Sequence, residues 1–144
     1  MKLRLAIIFL LVATACEPQL SDDPIPLIAF QDLEINLTLP AYSKLRNDGG
    51  LLAVGGGVRG IIIYRVNANL FRAFDRNCSY HPNEASSTVD IDASNLFLKD
   101  YSCGSQFNRE TGQPMSAPAW RPLRQYRTEV IGGTVLRITS DPIE

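Results

Sequence analysis

Histidine is nearly absent from this sequence: His81 is the only one in 144 residues. A site needing two imidazoles therefore cannot be built from a single chain. Cysteine is scarce at three, which excludes a disulfide-dense scaffold. Neither sign of charge dominates, with 14 Lys and Arg against 15 Asp and Glu. The basic footprint of a nucleic-acid binder is missing, so no nucleic-acid partner is expected. No Gly-x-Ser-x-Gly elbow surrounds any serine, and His81 has no evident nucleophile beside it, so the chain is not expected to be an enzyme. Gly55-Gly56-Gly57 lacks the Gly-Lys-Ser/Thr ending of a phosphate loop and reads as a flexible connector. What remains is a chain of one-domain length with 45% hydrophobic residues, ordinary for a packed globular protein.

The chain opens with Lys2 and Arg4, an unbroken apolar run Leu5–Val12 and the small residues Ala13-Thr14-Ala15. This reads as a secretory signal over residues 1–15, since a spanning helix takes about 20 apolar residues. Val12-Ala13-Thr14-Ala15-Cys16 resembles the lipobox of bacterial lipoproteins, in which the cysteine is lipidated and becomes the new N-terminus. Ala13 stands where that family more often has Leu, and ordinary signal cleavage with a free Cys16 is the plainer alternative. Several acyl chains at about 0.8 kcal/mol per buried methylene give a stable membrane anchor. Without Lys2 and Arg4, 12 basic residues face 15 acidic ones. Residues 16–26 read as an acidic, proline-rich tether, with three prolines and three acids in 17–26. Such stretches resemble surface-export signals of some Gram-negative lipoproteins, and a plain solvated linker fits them as well. The expected location is the bacterial cell envelope, on the outer membrane or facing the periplasm.

Residues 27–144 are assigned to one β domain. Leu33–Leu39 alternates apolar and polar residues with period two, the mark of a half-buried strand. Ile61–Val66 and Leu70–Phe74 are β-rich runs joined by the short connection Asn67-Ala68-Asn69. Val89–Asp92 with Leu96–Leu98 repeats the pattern, as does Tyr126–Ile131 with Val135–Ile138 across Gly132-Gly133. No window sustains a helical period over ten residues. The fold class is therefore all-β, a small sandwich or barrel.

Two polar loops carry the chemistry: Asp75–Pro82, with Cys78 and His81, and Asp100–Phe107, with Cys103. A proline-rich stretch, Ala117–Tyr126, follows and is placed over both. Phe74-Asp75, the cysteine loop, Gly104-Ser105-Gln106-Phe107, Thr111-Gly112 and Ala117-Pro118-Ala119 to Leu123 and Tyr126 resemble, in order and spacing, the Rieske [2Fe–2S] iron–sulfur domain. That family reads Cys-x-His, a hairpin, Cys-x-x-His-Gly-Ser-x-Phe, a Thr-Gly turn and a Gly-Pro-Ala-x-x-Pro-Leu-x-x-Tyr loop. The resemblance covers about residues 50–139. It implies three small antiparallel sheets with two ligand-loop hairpins, a proline loop and a [2Fe–2S] cluster at the tip, held by two cysteines and two histidines.

The ligand set is degenerate. Cys78 matches the first cysteine, Asp100 stands at the second cysteine position and Cys103 at the second histidine position. His81 fits only if its loop shifts by one residue. Cys78, His81 and Cys103 are thus vestigial cluster-loop positions, and the resemblance implies a Rieske fold without its cluster, acting as a non-catalytic binding or structural module with a protein partner still unidentified. The alternative is an electron-transfer protein with a modified [2Fe–2S] centre. A lesser one is a zinc module, because Cys78-x-x-His81 and Asp100-x-x-Cys103 form two facing ligand pairs. Against a metal, His81 reads as a solvated loop residue and Asp100 as a turn cap. If the loops meet as in the family, Cys78 and Cys103 approach across the cluster site, and in an oxidising compartment a disulfide between them is expected. That bridge would contribute about 3–4 kcal/mol in the chain-entropy model; two buried unpaired thiols are the alternative. Trp120 with Arg121 and Arg124 forms either a small recognition patch or a loop packed on its own domain.

Overall fold

The computed structural model describes residues 23–143, and Cys16 with the signal segment lies outside them. Ten strands form two antiparallel sheets. The strands are β1 (Leu33–Asn36), β2 (Leu51–Val54), β3 (Ile61–Asn67), β4 (Leu70–Asp75), β5 (Val89–Ile91), β6 (Phe97–Asp100), β7 (Gln106–Asn108), β8 (Pro114–Ser116), β9 (Gln125–Ile131) and β10 (Val135–Ile143). One sheet runs β1-β10-β9-β4-β3-β2, and the other runs β5-β6-β7-β8.

The all-β expectation holds, with two sheets where the resemblance implied three. β4 and β9 pair only at Ala73–Tyr126 and Phe74–Gln125. That short seam fuses β1-β10-β9 and β4-β3-β2 into a single six-stranded sheet. The second sheet carries Asp100 at the end of β6, and the turn after it carries Cys103.

The unbroken run Ile61-Ile62-Ile63-Tyr64 is buried throughout because β3 is covered on both faces. Ile61 and Ile63 join Ile35, Phe71, Ala73, Tyr126, Leu136 and Ile138 in one core. Ile62 and Tyr64, of opposite pleat parity, pack with Phe74, Cys78, Val89, Leu98, Phe107 and Leu123 in the other. The second core is the floor beneath the cysteine loops, and Cys78 belongs to it.

Local chemistry sets the element ends. The strand expected over Leu33–Leu39 stops at Asn36, whose side-chain oxygen accepts from the Thr38 amide (3.0 Å) and hydroxyl (2.7 Å), turning the chain into a 3-10 helix at Pro40–Leu45. Gly132 and Gly133 both take positive φ, at 58° and 71°, and close the β9–β10 hairpin as their sequence suggested. β10 runs well past Ile138 to Ile143, with a register shift between Ile138 and Pro142.

Gly57 is no loose connector. At φ +59° a Cβ there would lie 2.4 Å from Asp75 Oδ2 and 3.0 Å from the Tyr126 hydroxyl. Only glycine lets the backbone come this close.

The described residues ahead of β1 lie against the domain. Arg121 Nη1 donates to the Asp23 carbonyl at 2.8 Å and Arg124 Nη2 to the Ile25 carbonyl at 2.5 Å. Phe30 meets the Tyr126 ring edge-on, with centroids 5.1 Å apart.

Candidate functional site

The loop after β4 carries Cys78 down into the second core, where it is fully buried. Its amide donates to the Ser87 carbonyl at 3.1 Å, closing the loop from the β5 side. The β6–β7 hairpin is tied by Asp100 N to Ser105 O (2.9 Å) and Gly104 N to Asp100 O (2.8 Å). The proline stretch covers both loops, as its sequence position suggested. Ser79 Oγ donates to the Arg121 carbonyl at 2.6 Å, and Arg121 Nη2 donates back to the Ser79 carbonyl at 2.8 Å. On the other side the Ala119 amide donates to Ser105 Oγ at 3.0 Å. Three loops are thereby locked at one end of the molecule.

Within this lock the donor atoms of Cys78, Asp100 and Cys103 lie within 4.8 Å of one another. Cys78 and Asp100 are fully buried, and Cys103 is half-buried. Asp100 does cap its turn: Oδ1 accepts from the Ser102 amide (2.8 Å) and hydroxyl (2.6 Å). Oδ2 receives a longer contact, 3.4 Å, from Ser87 Oγ. Burial alone would raise the Asp100 carboxyl, but hydrogen bonds from Ser102, Cys78 and Cys103 outweigh it and hold the group below the ordinary carboxylate range. Burial pushes the Cys78 thiol well above its ordinary value, against a smaller lowering by the Tyr80 amide and with help from the neighbouring Asp100 and Cys103. The cluster is a buried carboxylate flanked by two cysteine side chains, of which the buried Cys78 is held neutral.

Two expectations are corrected here. His81 does not join the cluster: its side chain is 37% exposed, its Nδ1 lies 3.9 Å from Glu84 Oε1, and its ring meets Tyr80 at 3.9 Å between centroids. A turn closed by Glu84 N donating to His81 O at 3.1 Å keeps it outward, so the one-residue loop shift that would bring it in does not occur. The bridge between Cys78 and Cys103 is not formed either, since both are free thiols. Cys103 Sγ instead lies 3.0 Å from Ser105 Oγ.

Ser87 and Ser105 brace Asp100 and Cys103, and neither is among the site residues expected from the sequence. Ser105 had a signal, because it belongs to the Gly104-Ser105-Gln106-Phe107 motif. Ser87 had none, being one polar residue in the loop stretch Asn83–Thr88. Trp120 is 45% exposed, with the Arg121 guanidinium 5.3 Å from its ring centroid. Arg121 spends its other contacts inside the molecule, so this loop binds its own domain as much as it presents a patch.

A [2Fe–2S] cluster takes four protein donors. Among the described residues three donors converge, and Tyr80 stands where Cys-x-His has its histidine. This set does not fit that cluster.

No family model matches the chain, and no curated protein matches it. Solved structures do. The chain is similar to one in the complex of reduced oxygenase and oxidized ferredoxin in carbazole 1,9a-dioxygenase, at 25% identity over 78% of this chain and 96% of that one, with a TM-score of 0.53. It also matches the ferredoxin of carbazole 1,9a-dioxygenase from Nocardioides aromaticivorans, at 20% identity over 74% and 96% of the two chains and a TM-score of 0.47. A Sphingomonas yanoikuyae ferredoxin matches at 22% identity over 65% and 87%, with a TM-score of 0.44. With the order of its strands, its two cysteine loops and its proline loop, the chain carries a Rieske-like domain.

Proposed function

We propose that this protein is an exported, membrane-tethered Rieske-like domain whose loops no longer hold a [2Fe–2S] cluster, and that it serves as a non-catalytic binding or structural module of the bacterial cell envelope. The observation that carries the reading is the donor inventory: two thiols and one carboxylate within 4.8 Å, with the single histidine turned toward Glu84. Electron carriage resides in the ligand set and not in the fold. The mutual support of the three loops through Ser79, Arg121, Ala119 and Ser105 explains how the tip keeps its shape without a cluster to staple it. A protein partner is part of the proposal, since the first matched structure is a complex of an oxygenase with a ferredoxin. The anchor would be lipidated Cys16 after removal of residues 1–15.

Purification after growth in iron-rich medium tests this. The expected preparation is colourless, free of iron and labile sulfide, and silent in the EPR spectrum after reduction. Two irons and two sulfides per chain would overturn the reading in favour of an electron carrier with a modified centre. Mass spectrometry of the membrane-extracted protein is expected to find a lipid-modified Cys16 as first residue; an unmodified Cys16 would remove the tether.

A further inference from the structure

A buried carboxylate between two thiols has metal chemistry of its own. Donors around one tetrahedral zinc-type ion, bonded at about 2.0–2.3 Å, stand about 3.3–3.8 Å apart. The three atoms here lie within 4.8 Å of one another, so small side-chain rotations close them around a single ion.

Their surroundings match the supports that metal ligands need. Asp100 Oδ1 is fixed by Ser102, while Oδ2 has a longer, 3.4 Å contact from Ser87, and the carboxylate lies within 4.8 Å of both sulfurs. Ser105 Oγ accepts from the Ala119 amide, so its own proton is available to Cys103 Sγ at 3.0 Å. A hydroxyl beside the sulfur is an outer support that orients a ligating cysteine. Among the described residues no Lys, Arg or His pairs with Asp100. A buried carboxylate in that position is one that a cation would compensate.

We propose that Cys78, Asp100 and Cys103 form a site for one zinc-type divalent ion, with the fourth position open, on the half-buried Cys103 side, to water or an incoming ligand. The proposal rests on the cluster-free reading above. It differs from a four-residue zinc set because His81 takes no part.

The test uses the full chain, reduced and stripped by chelator, with Zn²⁺ alone or Co²⁺ as its spectroscopic substitute. The expected result is one zinc retained per chain through gel filtration, and a Co²⁺ spectrum with sulfur-to-metal charge transfer. Cys103→Ser and Asp100→Asn weaken zinc binding at least tenfold, Ser105→Ala weakens it about tenfold, and His81→Ala leaves it unchanged. Circular dichroism of the metal-free variants checks that each is folded; where one is not, the native chain's Co²⁺ spectrum and His81→Ala decide. A reduced, iron-free chain that retains no zinc overturns the proposal and leaves the cluster-free reading standing. Two irons with two sulfides overturn both. Binding lost equally in His81→Ala overturns the three-residue assignment.

Discussion

The Asp75 carboxylate is fully buried at the end of β4. Oδ2 accepts from the Val58 amide (2.7 Å) and the Tyr126 hydroxyl (2.6 Å), and Oδ1 from the Asn77 amide (2.8 Å). One side chain thereby ties the glycine turn, the start of the Cys78 loop and β9 together. Tyr126→Phe removes one donor of three and is expected to cost about 1–2 kcal/mol in urea unfolding. Gly57→Ala is expected to cost about 2–3 kcal/mol, because it combines a strained backbone with a Cβ driven into Asp75. Burial first, then the Asp75 contact, raises the Tyr126 phenol, with a smaller opposing effect of Arg124. A raised folded value means that the stability this phenol contributes is complete below its ordinary value of 10.0 and falls as pH climbs past it. Cys78, raised for similar reasons, adds a decline that begins near its own ordinary value of 9.0. Tyr126→Phe is expected to flatten the higher of these two phases and leave the lower, as read from unfolding midpoints between neutral and alkaline pH. The sequence displayed Asp75 and Tyr126 as parts of a motif, but gave no sign that they touch. Their contact spans 51 positions, and no local periodicity encodes a pairing of that range.

At the scale of elements, the strands were legible because each buried face leaves a period or a run, as in Ile61–Tyr64, and because Gly132-Gly133 marks its turn. The fusion of two three-stranded units was not, since it depends on two residue pairs at Ala73 and Phe74. The three donor positions of the site were readable from loop spacing, while the fate of His81 was decided by the turn that Glu84 closes. The proline loop is bonded to the residue next to Cys78. Arg121 holds the Ser79 carbonyl, and its own carbonyl holds the Ser79 hydroxyl. Alkylation of the metal-free reduced chain at neutral pH is therefore expected in two phases, Cys103 first and Cys78 far slower, since the thiolate is the reactive form and burial suppresses it at Cys78. Arg121→Ala should speed the Cys78 phase at least fivefold with little change at Cys103, as followed by mass spectrometry. Equal acceleration at both positions would mean that the loop does not gate Cys78 separately.

For the whole molecule, the chain ahead of β1 is fastened near the same end as the cysteine loops. Arg121 contacts both Asp23 and Ser79, and Phe30 packs on Tyr126. Phe30→Ala is expected to cost about 1–3 kcal/mol, at the low end for an aromatic because Phe30 is only half-buried. This attachment constrains orientation once the anchor is in place. Seven peptide units separate Cys16 from Asp23, and fully extended they reach about 25 Å at most. A lipid on Cys16 would therefore keep Asp23 within that distance of the membrane surface, with the Arg121 loop and Trp120 a side-chain length or so beyond it. Trp120 is the single tryptophan of the chain and is 45% exposed, which makes it the native donor for the measurement. Energy transfer from Trp120 to a headgroup-labelled lipid is expected for the lipidated protein in vesicles and absent for Cys16→Ala. A long Gly-Ser insert after residue 22 should lower the transfer while the protein stays bound. Unchanged transfer with the insert would show that the domain lies on the bilayer through its own surface; lowered transfer would show that the length of residues 16–22 sets its distance from the bilayer.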